Sequence, residues 1–479
     1  MALADAAGGN SRKGGEISGH RLHDHAGVHG HDDAAGERVR RIDSGALQSL
    51  KTRDNTTNIR HLLAVWGIIA ATIAGAIAFE LWLSSAGHSL WWLAPVIPLV
   101  VIVVGASQHQ LGGAIHEGTH YTLFANRRLN ELASDWLAAF PIYTTTYQFR
   151  IHHLAHHQFV NDPERDPDIA QLKESHHWLD FPIEHIDMVR ALARQLWLPN
   201  LFRYTAIRAK YSALGFDKNP YRDEESRPSK WPTRMAVVFA VGVPIAAGVM
   251  SALGFGNASL AFIAAIFVVV VAYLAIAPAA AFPRTQLQPV ISHRATIIGR
   301  VTFLGIVYAT LTAIQTSTGQ HAWTWYGVYW VLPLFTTFAL FMVLRQWVQH
   351  GNADRGRFTN TRIFLVNPLV RYAVFPWGMD YHLPHHLYAS VPHYNLKSLH
   401  TLLLGDTEYR GKGVIVEGYF GDDDQTTGRP TAMSVISGRH APEGREAVHI
   451  DDTALELADV KDRAAIARES DASVRESRR

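Results

Sequence analysis

Histidine is the residue of this chain best suited to do chemistry, and it is grouped rather than scattered. HEGTH places His116 and His120 four apart, HHLAHH puts His152, His153, His156 and His157 into six residues, and YHLPHH carries His382, His385 and His386. On a helix, positions i and i+4 differ by about 40° in azimuth and i+3 by about 60° the other way, so HxxxH and HxxHH each aim their imidazoles from one face. Faces of this kind suit a shared metal cluster. Reading HHLAHH in the register of YHLPHH selects His153, His156 and His157 and leaves His152 about 100° away from His153. An i, i+4 pair of His152 with His156 is the alternative register.

Eight such histidines exceed what one first-row ion can hold, so two metals are implied. The chain has no cysteine, which excludes thiolate-bound metals, iron–sulfur clusters and disulfides, so a metal must rest on histidine, carboxylate or carbonyl ligands. His350, in RQWVQHGN, is a further candidate ligand, and Gln346 one turn earlier on the same face can support a ligand or a bound water. Neutral imidazoles do not offset the charge of two metal ions. Asp162, Asp166 and Asp168 after the second group, and Glu117 and Asp380 beside the others, are placed to orient ring N–H groups and balance that charge, with Asp166 or Asp168 favoured. The other reading of NDPERDPD is a proline-fixed loop with solvated acids. His109 reads as a satisfied polar group within a helix bundle, His176 and His177 as surface residues, and the HRLHDHAGVHGHDD tract as a loose metal binder without fixed geometry.

These groups must be held by membrane-spanning helices. Of 479 residues 48% are hydrophobic, and they gather into six blocks: Leu62 to Leu83, Leu90 to Ala106, Met235 to Phe255, Leu260 to Phe282, Ile297 to Ile314, and Trp323 to Leu344. Each approaches the ~20 residues that a helix needs to cross hydrocarbon. The fold expected is an all-α integral membrane bundle of four to six spanning helices, with a cytoplasmic helical cap that carries the histidines. The blocks pair into hairpins whose connectors, SSAGHS, GNAS and QTSTGQHA, lack Lys and Arg, whereas the segments between hairpins are rich in them. The positive-inside rule therefore puts both termini, the long loops and the histidines on the cytoplasmic side. Ile297 to Ile314 is the weakest block, because Arg300 near its start would have to snorkel. Leu132 to Tyr143 is short and carries Asp135, so it reads as interfacial or buried rather than crossing. Residues 1–45 read as a disordered His/Gly-rich tail, 46–410 as the membrane domain, and 411–479 as a largely disordered polar tail. The formal charge of +2 gives no reason to expect nucleic acid as a partner.

HEGTH, then FRIHHLAHHQFVNDPERDPD, then YHLPHHLYASVPHYNLKSLH resemble the three histidine boxes of the membrane fatty acid desaturase family, over roughly residues 60 to 405. The resemblance implies that His116 and His120, then His153, His156 and His157, then His382, His385 and His386, with His350 as the additional histidine, ligate two iron ions. It further implies that O2 and two electrons are used to oxidise an unactivated C–H bond to a double bond or a hydroxyl. Two departures adjoin the third box: many members have Asn where this chain has Asp380, and Glu where it has Pro384. Both weaken any transfer of one subgroup's substrate.

Desaturation of a fatty acyl chain is the leading expectation. Hydroxylation, or action on a non-lipid metabolite, remains its alternative. The apolar interior would sheath an acyl or other hydrocarbon chain, and Trp91, Trp92 and Trp136 line that sheath or mark the interface. Without an HPGG haem-binding signature, electrons are expected from a separate ferredoxin, cytochrome b5-like protein or reductase, docking at basic residues between positions 190 and 230. HEGTH also fits the HExxH zinc protease signature with Glu117 as general base, which leaves the other boxes unexplained. A metal transporter would place its ligands nearer the bilayer midplane.

Overall fold

The computed structural model of the chain describes residues 43–438 except 215–218, 224–225, 227 and 422. Nearly all of the tail expected over 1–45, with its histidine tract, and the chain from 439 onward lie outside the described residues.

The first hairpin is α1 (Thr57–Ser85) and α2 (Leu93–Thr119). Five shorter helices follow: α3 (Arg127–Ser134), α4 (Thr146–Gln158), α5 (Pro167–Glu174), α6 (His185–Gln195) and α7 (Leu198–Arg208). α8 (Trp231–Ala252) and α9 (Gly256–Ile276) make the second hairpin, α10 (His293–Thr318) and α11 (Ala322–His350) the third. Beyond them α12 (His382–Leu387) carries the third histidine group. Among the described residues the only paired strands are Ile363–Leu365 (β1) and Ile415–Glu417 (β2), which run parallel. The chain is thus an all-α membrane bundle, and its six long apolar helices fall on the six blocks found in the sequence, though the third and fourth blocks run on past their helices to Phe255 and Phe282. With 26 residues, α10 is long enough to cross.

Local chemistry sets the ends of these elements. Ser292 caps α10 by accepting from the Ala295 N–H at 3.3 Å, and Gly319 ends it at φ 68°, a left-handed position that suits glycine. Close approach matters most at HEGTH. A Cβ on Gly118 would lie 2.3 Å from Ser134 Oγ, so glycine there lets α3 lie against the end of α2. α11 is broken at Thr336 (φ −123°, ψ −88°), and its second half runs on to His350.

Three expectations change. Arg300 does not snorkel: it is 8% exposed and lines an apolar cavity, because α10 packs in the bundle with that side turned inward. His177 is buried rather than at the surface, its Nδ1 bonded to the Ser175 carbonyl at 2.9 Å, while His176 is exposed. The chain beyond 410 forms β2 and a turn of helix at Ala432–Ile436, and Val416, Met433, Val435 and Ile436 are buried in the main core.

The Leu132 to Tyr143 stretch is split between the end of α3, a π-helical turn at Asp135–Ala139 and a short 3-10 turn. Asp135 is buried and accepts from the Thr146 N–H at 2.8 Å; burial pushes its pKa up to about 6. α6 and α7 leave Ile186, Val189, Leu196, Trp197 and Phe202 exposed, the pattern of helices lying in a membrane interface. Trp91 and Trp92 are exposed at the connector end of α2.

Because the chain has no cysteine, single cysteines report its topology directly. His88→Cys, Asn257→Cys and Thr318→Cys should react with an impermeant maleimide from one face of sealed vesicles, and Lys173→Cys and Lys397→Cys only from the other. Labelling of one connector from the same face as Lys397→Cys would contradict six crossings.

Candidate metal centre

The three histidine groups arrive on three elements. α2 ends in HEGTH, α4 carries HHLAHH, and α12 carries HLPHH. α4 starts at Thr145, whose hydroxyl accepts from the Gln148 N–H at 3.3 Å. Its register against α2 comes from Arg150, a buried residue just before the histidines. Arg150 donates Nε to the Thr119 carbonyl at 2.9 Å and Nη2 to the Gly118 carbonyl at 2.8 Å, at the end of α2, where the Gly118 oxygen also accepts from Asn130 Nδ2 at 2.8 Å. Its guanidinium also forms a two-bond pair with buried Glu131 of α3.

The nine histidines fall into two groups. Ligand nitrogens of His116, His120, His153, His157 and His385 lie within 4.8 Å of one another, and so do those of His156, His350 and His386. His382 adjoins the second group, its Nε2 3.0 Å from that of His350 and 3.1 Å from that of His386. The second and third boxes each divide between the groups. The groups touch where His157 and His386 stack, centroids 4.3 Å apart and planes 1° from parallel.

These nitrogens fit cations better than one another. His350 Nδ1 meets the Asn360 carbonyl at 3.2 Å, which obliges Nδ1 to donate and leaves a lone pair on Nε2. His382 Nε2 faces two such nitrogens and can carry only one proton. His153 Nε2 is buried with no hydrogen-bond partner. Among the described residues the set is all imidazole, suited to iron or zinc. Burial first, and the neighbouring imidazoles next, hold His153, His382, His385 and His386 well below the usual imidazole range, in the neutral form that a metal requires.

The carboxylates separate. Asp166 caps α5 by accepting from the Asp168 N–H at 2.9 Å and also meets His156 Nδ1 at 3.0 Å, so that nitrogen donates and His156 Nε2 faces its group. Asp168 meets His152 Nε2 at 2.8 Å and lies 3.7 Å from His156. Burial alone would lower the His156 pKa, but these two acids raise it. In return His156 and His152 hold Asp168 well below the carboxylate range against the effect of burial. Glu117 accepts from Thr122 Oγ1 at 2.9 Å and from the His393 N–H at 3.0 Å, with Oε1 3.8 Å from His116 Nδ1.

Two acids are not brought to an imidazole. Asp162 is taken by Arg165 at 2.7 Å and Arg355 at 3.2 Å, and Asp380 by Arg371 at 2.8 Å. In both cases a nearby guanidinium is the stronger partner for a carboxylate than a neutral ring. Gln346 accepts from Tyr204 at 2.7 Å and lines a small chamber with His153, His156 and His382. His109 bonds the Ala373 carbonyl through Nδ1 at 2.8 Å, while its Nε2 is buried without a partner, so it is only half satisfied. Sequence reasoning missed Arg150, Glu131 and His393. Arg150, a lone cation just before the second histidine group, was the available signal, whereas Glu131 sits among Arg127, Arg128 and Asp135 and gave none.

The fatty acid desaturase family matches over residues 89–305 and 277–417, a span that includes all three boxes and His350. The chain belongs to that family. A dihydrorhizobitoxine desaturase from Bradyrhizobium elkanii is 38% identical over 117 residues, which is 24% of this chain and 30% of that protein's length. The chain thus spans less than a third of the length of that relative in the match, and its six long apolar helices fit a multi-pass membrane member of the family.

Arg150→Met would strand Glu131 in the interior, so a loss of about 3–5 kcal/mol is expected. Thermal unfolding of the purified protein reads it out, and a variant as stable as wild type would refute the role. On metal content, His153→Ala should lose much of the bound metal and His152→Ala little. Equal losses by elemental analysis would favour the register that uses His152.

Proposed function

We propose that the chain catalyses O2-dependent oxidation of an unactivated C–H bond at a di-iron centre, and that its reaction is desaturation of an acyl chain. The observation that carries this reading is the convergence of eight buried, box-spaced histidines and half-buried His350 into two adjoining groups. Two irons held by His116, His120, His153, His156, His157, His350, His382, His385 and His386 would supply the activation of O2 that breaking such a bond requires.

The chain's own residues do the rest. Asp166 fixes the tautomer and ring orientation of His156, and the Asn360 carbonyl does the same for His350. Phe149 stacks on His153 with centroids 5.4 Å apart and forms part of the wall of an apolar cavity of about 580 Å³, which also reaches His116. That cavity is where a hydrocarbon chain would lie, kept from water beside the histidines.

Conversion of –CH2–CH2– to –CH=CH– with O2 consumes two electrons and two protons from outside and releases two waters. A separate donor is therefore required, a ferredoxin, a cytochrome b5-like protein or a reductase. Exposed Arg190, Arg194 and Arg203 on α6 and α7 offer it a basic docking face. The positive-inside bias supports a cytoplasmic location for that face, the metal centre and both termini.

The relative whose name specifies dihydrorhizobitoxine favours a second reading, desaturation of a non-lipid metabolite at the same centre. The zinc protease reading is disfavoured, because Glu117 is committed to Thr122 and His393 rather than free as a base.

The purified chain is expected to hold about two irons. Expressed in a host with simple lipids, it should yield an unsaturated product detectable by mass spectrometry of lipid and metabolite fractions. His157→Ala and His386→Ala should abolish that product while inserting normally. Full activity in either variant would sink the assignment.

A further inference from the structure

The cavity that meets the histidines carries charge that its walls do not explain. Most of its lining is apolar, including Ile115, Val237, Ile245 and Phe338. Between it and the small chamber against the histidines lie four residues that line both: His116, Phe149, Arg208 and Arg345. Two guanidiniums therefore stand where the apolar cavity opens onto the candidate metal centre.

Neither is in a contact ion pair among the described residues, and the one carboxylate whose charge reaches both is Asp168. Arg208 donates to Gln171 Oε1 at 3.2 Å and lies 5.8 Å from the centre of the Phe149 ring. Arg345 Nε is buried with no hydrogen-bond partner. Asp168 lines the same chamber, but its carboxylate is engaged by His152 at 2.8 Å and faces His156. Two guanidiniums that share one carboxylate, itself bonded to His152, leave an excess of positive charge in a region of low dielectric, and that excess favours an anion. An occupant that satisfies both the walls and the charges has a hydrocarbon portion and one anionic end. A planar carboxylate suits the guanidinium fork, and a cavity of about 580 Å³ falls within the range for whole small ligands.

We propose that the substrate is a free carboxylic acid, its carboxylate clamped by Arg208 and Arg345 and its hydrocarbon portion lodged in the apolar cavity. The inference rests on the reading of the histidine groups as the oxidising centre. The C–H bonds offered to that centre are then the ones near the carboxylate, since His116 lies at the same junction as the clamp. Arg300 lines the same cavity but not the chamber, so it serves as a comparison position.

The test is equilibrium binding and thermal shift of the iron-loaded protein in nanodiscs of zwitterionic lipid, with decanoate, decanol and methyl decanoate as probes. Decanoate should bind roughly tenfold or more tightly than the two uncharged probes. Arg345→Met and Arg208→Met should each bring decanoate close to decanol while leaving decanol unchanged. Without ligand, Arg345→Met should melt no lower than wild type, because a buried cation without a contact ion pair has been removed. If that variant fails to fold, Arg208→Met and the acid-to-alcohol ratio of the wild type still decide. Equal affinity for acid and alcohol in wild type would overturn the clamp, as would loss of selectivity in Arg300→Met but not in the other two variants. Iron content of the same samples separates the two readings. Iron-poor protein with acid-selective binding would overturn the di-iron reading and support the clamp, and iron-replete protein without selectivity would do the reverse.

Discussion

The candidate metal centre depends on one buried contact that contains no histidine. Arg150 joins the last carbonyls of α2 to the first turns of α4 and is neutralised by Glu131 from α3. Two histidine boxes on separate helices can share a ligand set only if the helices hold a fixed register, and imidazoles cannot supply it. In the apo protein they are donors and acceptors of similar strength, free to pair in several ways. A guanidinium with five fixed donors, aimed at two carbonyls and one carboxylate, allows far fewer arrangements. The glycine of HEGTH has a matching role, since a side chain there would push Ser134 and α3 away.

Around that contact the protein divides its charges. His153, His382, His385 and His386 are kept neutral by burial, whereas His156 is held above its ordinary value by the carboxylates one step back. Asp166 serves two purposes, as helix cap for α5 and as acceptor for His156, which ties the geometry of a metal-facing ring to the geometry of a helix start. Asp162 and Asp380 instead hold arginines on neighbouring segments, so they brace the loops that carry the boxes. Proximity in sequence to a histidine box did not decide between these roles. The presence of a guanidinium within reach did.

Much was legible in the chain before folding. Six apolar blocks, basic residues confined to alternate connectors, and boxes of HxxxH and HxxHH spacing are local patterns, and local patterns survive without tertiary information. They sufficed for an all-α membrane bundle, for the desaturase resemblance and for the list of nine histidines. Arg300 shows the limit of the same reasoning. A charge near the end of an apolar block has two solutions, the water interface or a cavity inside the bundle, and hydropathy reads both alike.

What the tertiary structure decided was pairing across elements. Spacing within HHLAHH says which imidazoles share a face, but not that His153 and His157 join His385 in one group while His156 joins His350 and His386 in the other. Nor could it reveal that Arg208, Arg345 and His116, remote in sequence, meet at one junction of two cavities. The physical reason is that residue type and periodicity are set by an element's own turns, whereas the partner of a buried charge is whichever group the packing of other elements brings within hydrogen-bond reach.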